Sequence, residues 1–202
     1  MLKPWLEAGY SCHLFDRQHP EGMTRREDGM YLHGMDLANS PAGHITWLMD
    51  NGAGEAAFLS CFPPCTHLAV SGARWFKGKG LRALEESIGL FASCTEVAAG
   101  MACPYIIENP VSTISTYWRK PDYTFHPYDF AGFCEGDNYT KKTCLWTGGG
   151  FVMPPRNPGN LEPDDRIHKA APSPERAAFR SATPVGFAKA VFESNHKIEA
   201  VA

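Results

Sequence analysis

Tyr105-Ile106-Ile107-Glu108-Asn109-Pro110 is an apolar run, short enough for a buried strand, that ends in a carboxylate and an amide. A second such run, Ala56-Ala57-Phe58-Leu59, leads into Phe62-Pro63-Pro64-Cys65. Between the two, Leu81, Leu84, Ile88, Phe91 and Ala98 recur near i, i+3, i+7 spacing, which predicts one helix over about Leu81 to Met101. Strand, helix and strand in that order form the repeating unit of an open α/β sheet, where ligands and reactive groups collect at strand carboxyl ends. Cys65 and Glu108 occupy two such ends. A thiol nucleophile and a carboxylic acid placed there can attack a ring and protonate it.

The same alternation extends outward. Leu2 to Ala8 reads as the tail of a helix stopped by Gly9, a residue suited to the position after a helix end. Ser11-Cys12-His13-Leu14-Phe15 reads as a strand ending at Asp16, and Arg17 to Gly34 as a polar loop leading to Met35-Asp36. His44 to Met49 fits either helix or strand. A basic loop spans Ser71 to Gly80, an aromatic, loop-rich segment runs from Tyr117 to Phe133, and Thr143-Cys144-Leu145-Trp146 reads as a strand. From Gly148 to Pro174 glycine and proline are dense and no periodicity survives, so an extended or weakly ordered excursion is predicted. The last helix is marked by Thr183 as N-cap and Pro184 at the first helical position, with Phe187, Ala188 and Val191 on one face. The resulting division is a core over 1–147, a reduced excursion over 148–180 and a returning helix over 181–202. No internal repeat is visible.

Composition limits the function classes. A chain of 202 residues, 44% hydrophobic and 20% charged, is the size of one ordinary domain with a proper core. No apolar stretch approaches a membrane span and no charged-then-apolar leader opens the sequence, so a cytoplasmic location without membrane partners is expected. The net charge of −3 gives no overall bias toward nucleic acid, and any DNA contact must use a local basic patch. Seven cysteines, an odd number without a CxxC pair, predict free thiols. Cys61, Cys65 and His67 cluster but lack the usual second ligand pair, so no metal is expected.

Each candidate has a bland alternative. Cys65 can be one more small buried hydrophobe, and Glu108-Asn109 can be a solvated strand end or a helix cap. A proline-flanked cysteine just past a strand can also face a cleft, where following backbone N–H groups or cations such as Arg74, Lys77, Lys79 and Arg82 favour its thiolate. Arg74-Trp75-Phe76-Lys77 interleaves charge with aromatic rings, as a nucleic-acid loop does. Tyr117, Trp118, Tyr123, Phe125 and Tyr128 are expected to pack a loop onto the core instead.

Taken together, these residues resemble the DNA cytosine-5 methyltransferases, and more closely a short, phage-type branch of them. Pro64-Cys65 is similar to that family's nucleophile motif and Glu108-Asn109 to its Glu-Asn motif. The resemblance implies a Rossmann-like methyltransferase sheet with helices on both faces. It also implies S-adenosyl-L-methionine as cofactor. Asp16 is placed like the acid that holds the ribose, Asp36 like the acid near the adenine, and Pro63 and Thr183 complete the implied pocket. Lys141-Lys142-Thr143 sits where the family carries basic residues around the target base, so Lys141 and Lys142 join Arg74, Lys77 and Lys79 as implied DNA contacts. The implied reaction methylates C5 of a flipped cytosine through a Cys65 adduct.

The chain departs from the family in several places. Thr66 follows the cysteine where the family has Gln, and Pro110 follows Glu-Asn where it has Val. Lysines replace an arginine fork. The region that holds target recognition in larger relatives is short and Pro-rich. No Phe-x-Gly-x-Gly segment is present, and Met1 to Trp5 already resembles the helix after that turn, so the first strand is expected to be missing. A partner chain or a second copy completing the sheet is then expected. Two other readings stand beside the enzyme: a methyltransferase-like protein without activity that binds DNA or a host protein in counter-defence, and an exocyclic-amine methyltransferase. The last leaves Glu108-Asn109 unexplained.

Overall fold

The computed structural model describes residues 1–37, 43, 55–169 and 179–196. They form a mixed α/β protein with two mixed sheets. The smaller sheet contains β1 (Cys12–Phe15), β2 (Gly22–Arg25) and β3 (Met30–Gly34) in the order β1-β3-β2, with β1 parallel and β2 antiparallel to β3. The larger contains β4 (Leu59–Cys61), β5 (Tyr105–Pro110), β6 (Tyr123–Phe125) and β7 (Thr143–Gly148) in the order β4-β5-β7-β6. β4 runs parallel to β5, whereas β7 is antiparallel to both β5 and β6. The strands thus make two sheets where a single sheet is expected. The expected strand at 56–59 begins three residues later, at Leu59.

α1 (Lys3–Glu7) precedes β1, and Gly9 at φ +86° turns the chain out of it, as read from the sequence. The crossover between β4 and β5 is α2 (Phe76–Gly100), broken at Gly80, whose φ of +76° favours glycine. Beyond that break the helix coincides with the predicted span. Phe91 and Ala98 are buried and Leu84 and Ile88 pack beside them, but Leu81 is 82% exposed. Leu81 opens the helix directly after the break, ahead of the first residue that reaches the sheet.

The larger sheet is the central layer. On one face Ile107, Cys144 and Trp146 pack against Leu68, Phe91, Ala98 and Ile114. On the other, Ile106 and Leu145 pack against Phe125, Phe130, Phe187 and Val191, the last two from α5 (Val185–Asn195). Adjacent residues Ile106 and Ile107 therefore serve opposite cores, as the two-residue period of a strand requires. Helices α2 and α5 cover the two faces of this sheet.

Three sequence expectations need correction. The polar stretch from Arg17 to Gly34 is not all loop: β2 and β3 form a hairpin whose turn is closed by the Arg26 N–H to the Met30 carbonyl (2.8 Å) and the Gly29 N–H to the Arg26 carbonyl (3.1 Å). All four β2 residues are exposed, so no apolar alternation announced the strand. Tyr117 is exposed; Trp118 and Tyr123 are partly exposed but set their rings edge-on against Phe91 and Phe151, and Phe125 is buried. The aromatic segment holds α3 (Ile114–Tyr117), β6 and a 3-10 segment, Pro127–Phe133. The Gly/Pro-rich stretch has little regular structure, α4 (Arg166–Lys169) apart, yet it is strapped down. Phe151 and Met153 join the second core, and Asn157 exchanges backbone bonds with Gly132 and Asp129 at 2.8 Å each. The His44–Met49 reading lies outside the described residues. Among the described residues, no helix is long and apolar enough to cross a membrane.

The third correction concerns the start of α5. Pro184, not Thr183, stands at the N-cap position, and no side chain there caps the helix. Asp137, in the 3-10 turn Glu135–Asp137, supplies the cap from 49 residues away, its Oδ2 accepting the Gly186 N–H at 2.6 Å. Gly186 itself is required by closeness, since a Cβ there would collide with the Phe130 carbonyl. Asp137→Ala is therefore expected to lower unfolding stability by about 1–2 kcal/mol, measured by urea denaturation. Thr183→Ala should stay within about 0.5 kcal/mol of the parent.

Candidate active site at the strand ends

Parallel pairing of β4 and β5 places their carboxyl ends side by side, with Cys61 opposite Ile107 in register. The chain leaving β4 passes Phe62 and the buried Pro63 and turns at Cys65, whose carbonyl accepts the Leu68 and Ala69 N–H groups at 3.0 and 2.9 Å. The chain in β5 presents Glu108 and Asn109 at the same end. Asn109 has no solvent exposure, and its Nδ2 donates to the Pro63 carbonyl at 3.0 Å. This bond ties the Glu-Asn end of β5 to the loop two residues before Cys65. Backbone pairing continues beyond it through Val70 N–H to the Val111 carbonyl (3.0 Å) and Thr113 N–H to the Leu68 carbonyl (3.1 Å).

Cys65 is half-buried, and burial first, then the nearby Glu108 charge, pushes its thiol above the usual range. Its own backbone N–H, Lys141 and Arg180 pull the other way. The Glu108 carboxyl is shielded, with Oε1 buried and unpartnered among the described residues, and burial raises its pKa against the pull of Lys141. The two acids are thus held toward their neutral forms beside two cations. A carboxylic acid kept protonated by its surroundings is suited to donating a proton to a ring nitrogen.

The remaining predicted residues fall into separate groups. A cleft of about 1180 Å3 is lined by Asp16, Asp36 and Pro63, together with Trp5, Phe15 and Phe58. Asp16 ends β1 and accepts the Gln18 N–H at 2.8 Å. Acids beside rings and apolar walls are a lining of the kind that suits a ribose and a purine. Thr183 does not line that cleft. It lines a crevice of about 10 Å3 with Glu108, Lys141, Phe62 and Phe187. That volume is about one water molecule, and Cys65 lines neither space. Asp137 anchors the start of α5, next to Thr183, through the Gly186 N–H.

Arg74 stacks over Trp75 with its guanidinium 5.0 Å from the ring, and Trp75 is 60% exposed. These residues lie in a 3-10 segment, Val70–Trp75, rather than a loop. Lys79 reaches back to donate to the Thr66 carbonyl (2.5 Å), while Lys77 and Lys142 are exposed. Arg180, which the sequence reading passed over, acts electrostatically on Cys65, and Phe62 walls the crevice. Neither carries a local signal beyond adjacency to a motif. All seven cysteines are free thiols, Cys61 hydrogen-bonding with Cys94.

Comparison with protein-family models, curated proteins and solved structures finds no match. The chemistry of the site therefore stands on its own residues.

Two measurements probe this geometry. Asn109→Ala strands the Pro63 carbonyl and is expected to cost about 1–3 kcal/mol of stability in denaturant unfolding. Alkylation of Cys65 by iodoacetamide, followed on its own peptide by mass spectrometry, should be slower at pH 8 than for a free cysteine and rise steadily past pH 9. Because the raised thiol pKa is partly due to the Glu108 charge, Glu108→Gln should lower it and speed alkylation at fixed pH. An unchanged rate would show that the two groups are not coupled.

Proposed function

We propose that this protein is a DNA cytosine-5 methyltransferase-like enzyme, with S-adenosyl-L-methionine as methyl donor and DNA as substrate, working in the cytoplasm. The observation that carries the reading is the placement of Cys65 and Glu108 at adjacent parallel strand ends, tied by the Asn109–Pro63 bond and flanked by Lys141 and Arg180.

In this reading a cytosine leaves the duplex and its ring is received between Cys65 and Glu108. Cys65 loses its proton and its Sγ bonds to C6, while the Glu108 carboxyl donates to N3, so that electron density collects at C5. The bound cofactor supplies an electrophilic methyl group to that carbon. Loss of the C5 proton to solvent then re-forms the C5–C6 double bond and expels Sγ as a thiolate, while N3 returns its proton to Glu108. Lys141 balances charge beside Glu108, and Asn109 holds the two loops in register. Asp16, Asp36 and Pro63 hold the donor in the large cleft, and Arg74, Lys77, Lys79 and Lys142 meet phosphates. With little chain between β7 and α5 available for base recognition, sequence specificity is low or supplied by a partner.

One observation favours a second reading, an inactive methyltransferase-like protein that binds DNA or a host protein. The crevice beside Glu108 admits a water and not a pyrimidine, so its wall of Phe62 and Ala182–Pro184 must move for the chemistry to occur.

Trapping separates the two. With DNA containing 5-fluorocytosine and S-adenosyl-L-methionine, the parent chain is expected to form a covalent adduct stable to denaturation. Cys65→Ser should abolish it, and Glu108→Gln should slow it by about 100-fold or more. DNA binding without any adduct would select the second reading.

A further inference from the structure

Three cysteines meet behind the strand end that leads to Cys65. Cys61 closes β4, Cys94 stands on α2, and Cys103 lies between that helix and β5. Cys61 hydrogen-bonds with Cys94 and feels Cys103 electrostatically. Cys61 and Cys94 pack against the same core residues, Leu68, Phe91, Ala98 and Trp146 among them, and both line the large cleft. Exposure divides the three thiols: Cys61 and Cys94 are half-buried, whereas Cys103 is only 2% exposed. A single buried cysteine is ordinarily one more small hydrophobe. Two half-buried thiols in mutual contact, one on a strand and one on a helix, are placed for a bond between them.

We propose that Cys61 and Cys94 form a reversible dithiol–disulfide pair, oxidised by hydrogen peroxide, that cross-links β4 to α2. The hydrogen bond to Cys94, and burial after it, push the Cys61 thiol up, which leaves Cys94 to make the first attack. The Cys94 thiolate bonds to one peroxide oxygen, the O–O bond breaks, and the departing hydroxide takes a proton to become water. Cys61 Sγ then loses its proton and displaces the hydroxyl of the Cys94 sulfenic acid as a second water, closing the S–S bond. Two thiols are thereby oxidised by two electrons and one peroxide is reduced to two waters. A small thiol reverses the bond by exchange. Cys65 takes no part, since the groups acting on it are Glu108, Lys141 and Arg180 rather than a thiol.

The cross-link acts on the strand end. From Cys61 the chain passes Phe62 into Pro63, whose carbonyl Asn109 holds, so the bond ties the start of that loop to α2. It also encloses the Cys65 turn and the helix break at Gly80 in one covalent loop, which restricts the unfolded chain and stabilises the folded one. The proposal does not rest on the methyltransferase reading.

The test treats the folded parent chain with hydrogen peroxide, blocks remaining thiols, digests it and assigns joined residues by mass-spectrometric fragmentation. A pair joined through Cys61 and Cys94 is expected, two hydrogens lighter than the separate peptides and lost after dithiothreitol. It should form at least about tenfold faster in the folded chain than in urea, because only the fold holds the two sulfurs together. The oxidised parent should unfold at a higher urea concentration than the reduced parent, and Cys94→Ser should erase that difference. Sulfinic acid at either cysteine without a cross-link overturns the proposal. So does a bond to Cys103 in place of either partner, or an equal rate in urea. DNA is absent from these measurements, so a failed adduct experiment leaves the result readable.

Discussion

The side-chain amide of Asn109, wholly withdrawn from solvent, donates to the carbonyl of Pro63 across 46 residues of sequence. A buried amide has no water to turn to, so this bond constrains both chains that it joins. The β4 exit cannot drift from the β5 end without leaving two polar groups unpaired. Everything chemical in the molecule is arranged around that tie. Cys65 follows Pro63 by two residues, Glu108 precedes Asn109 by one, and the backbone pairings at Val70 and Thr113 carry the junction outward.

Electrostatics at this junction depends on the same tie. A thiol and a carboxyl share a site from which water is largely excluded, so each charge disfavours the other and burial disfavours both. Lys141 and Arg180 limit that penalty without cancelling it. Neutral forms are held ready, and the cations favour the ionised thiol when a proton is given up. Phe62 lines both the small crevice beside Glu108 and the large cleft that Asp16 lines.

The layers outside the site have unequal support. The larger sheet is packed on both faces, with Ile106 and Ile107 dividing one strand between two cores. The smaller sheet shares with it a cleft and no strand pairing among the described residues. Stacked rings run along one of its faces, from Tyr31 to His13, His33 and Phe15, with His13 and His33 joined by a 3.0 Å hydrogen bond. That face holds the sheet together internally, and among the described residues β1 pairs with β3 alone.

The amino-acid sequence by itself determined β1, β5, β7 and the span of α2 beyond Gly80, because each carries its burial pattern within a few residues. It also placed Cys65 and Glu108 at strand ends, since proline and polar residues interrupt apolar runs locally. Tertiary structure alone decided what depends on distant groups. The exposed strand β2 has no apolar period to read, and the cap of α5 comes from Asp137 rather than from its neighbour Thr183. That anchor lies beside the crevice that Thr183 lines with Glu108 and Lys141, and the division into two sheets depends on which edges find partners among the described residues. Local periodicity reports burial, whereas caps, pockets and sheet edges are properties of contacts between segments far apart in the chain.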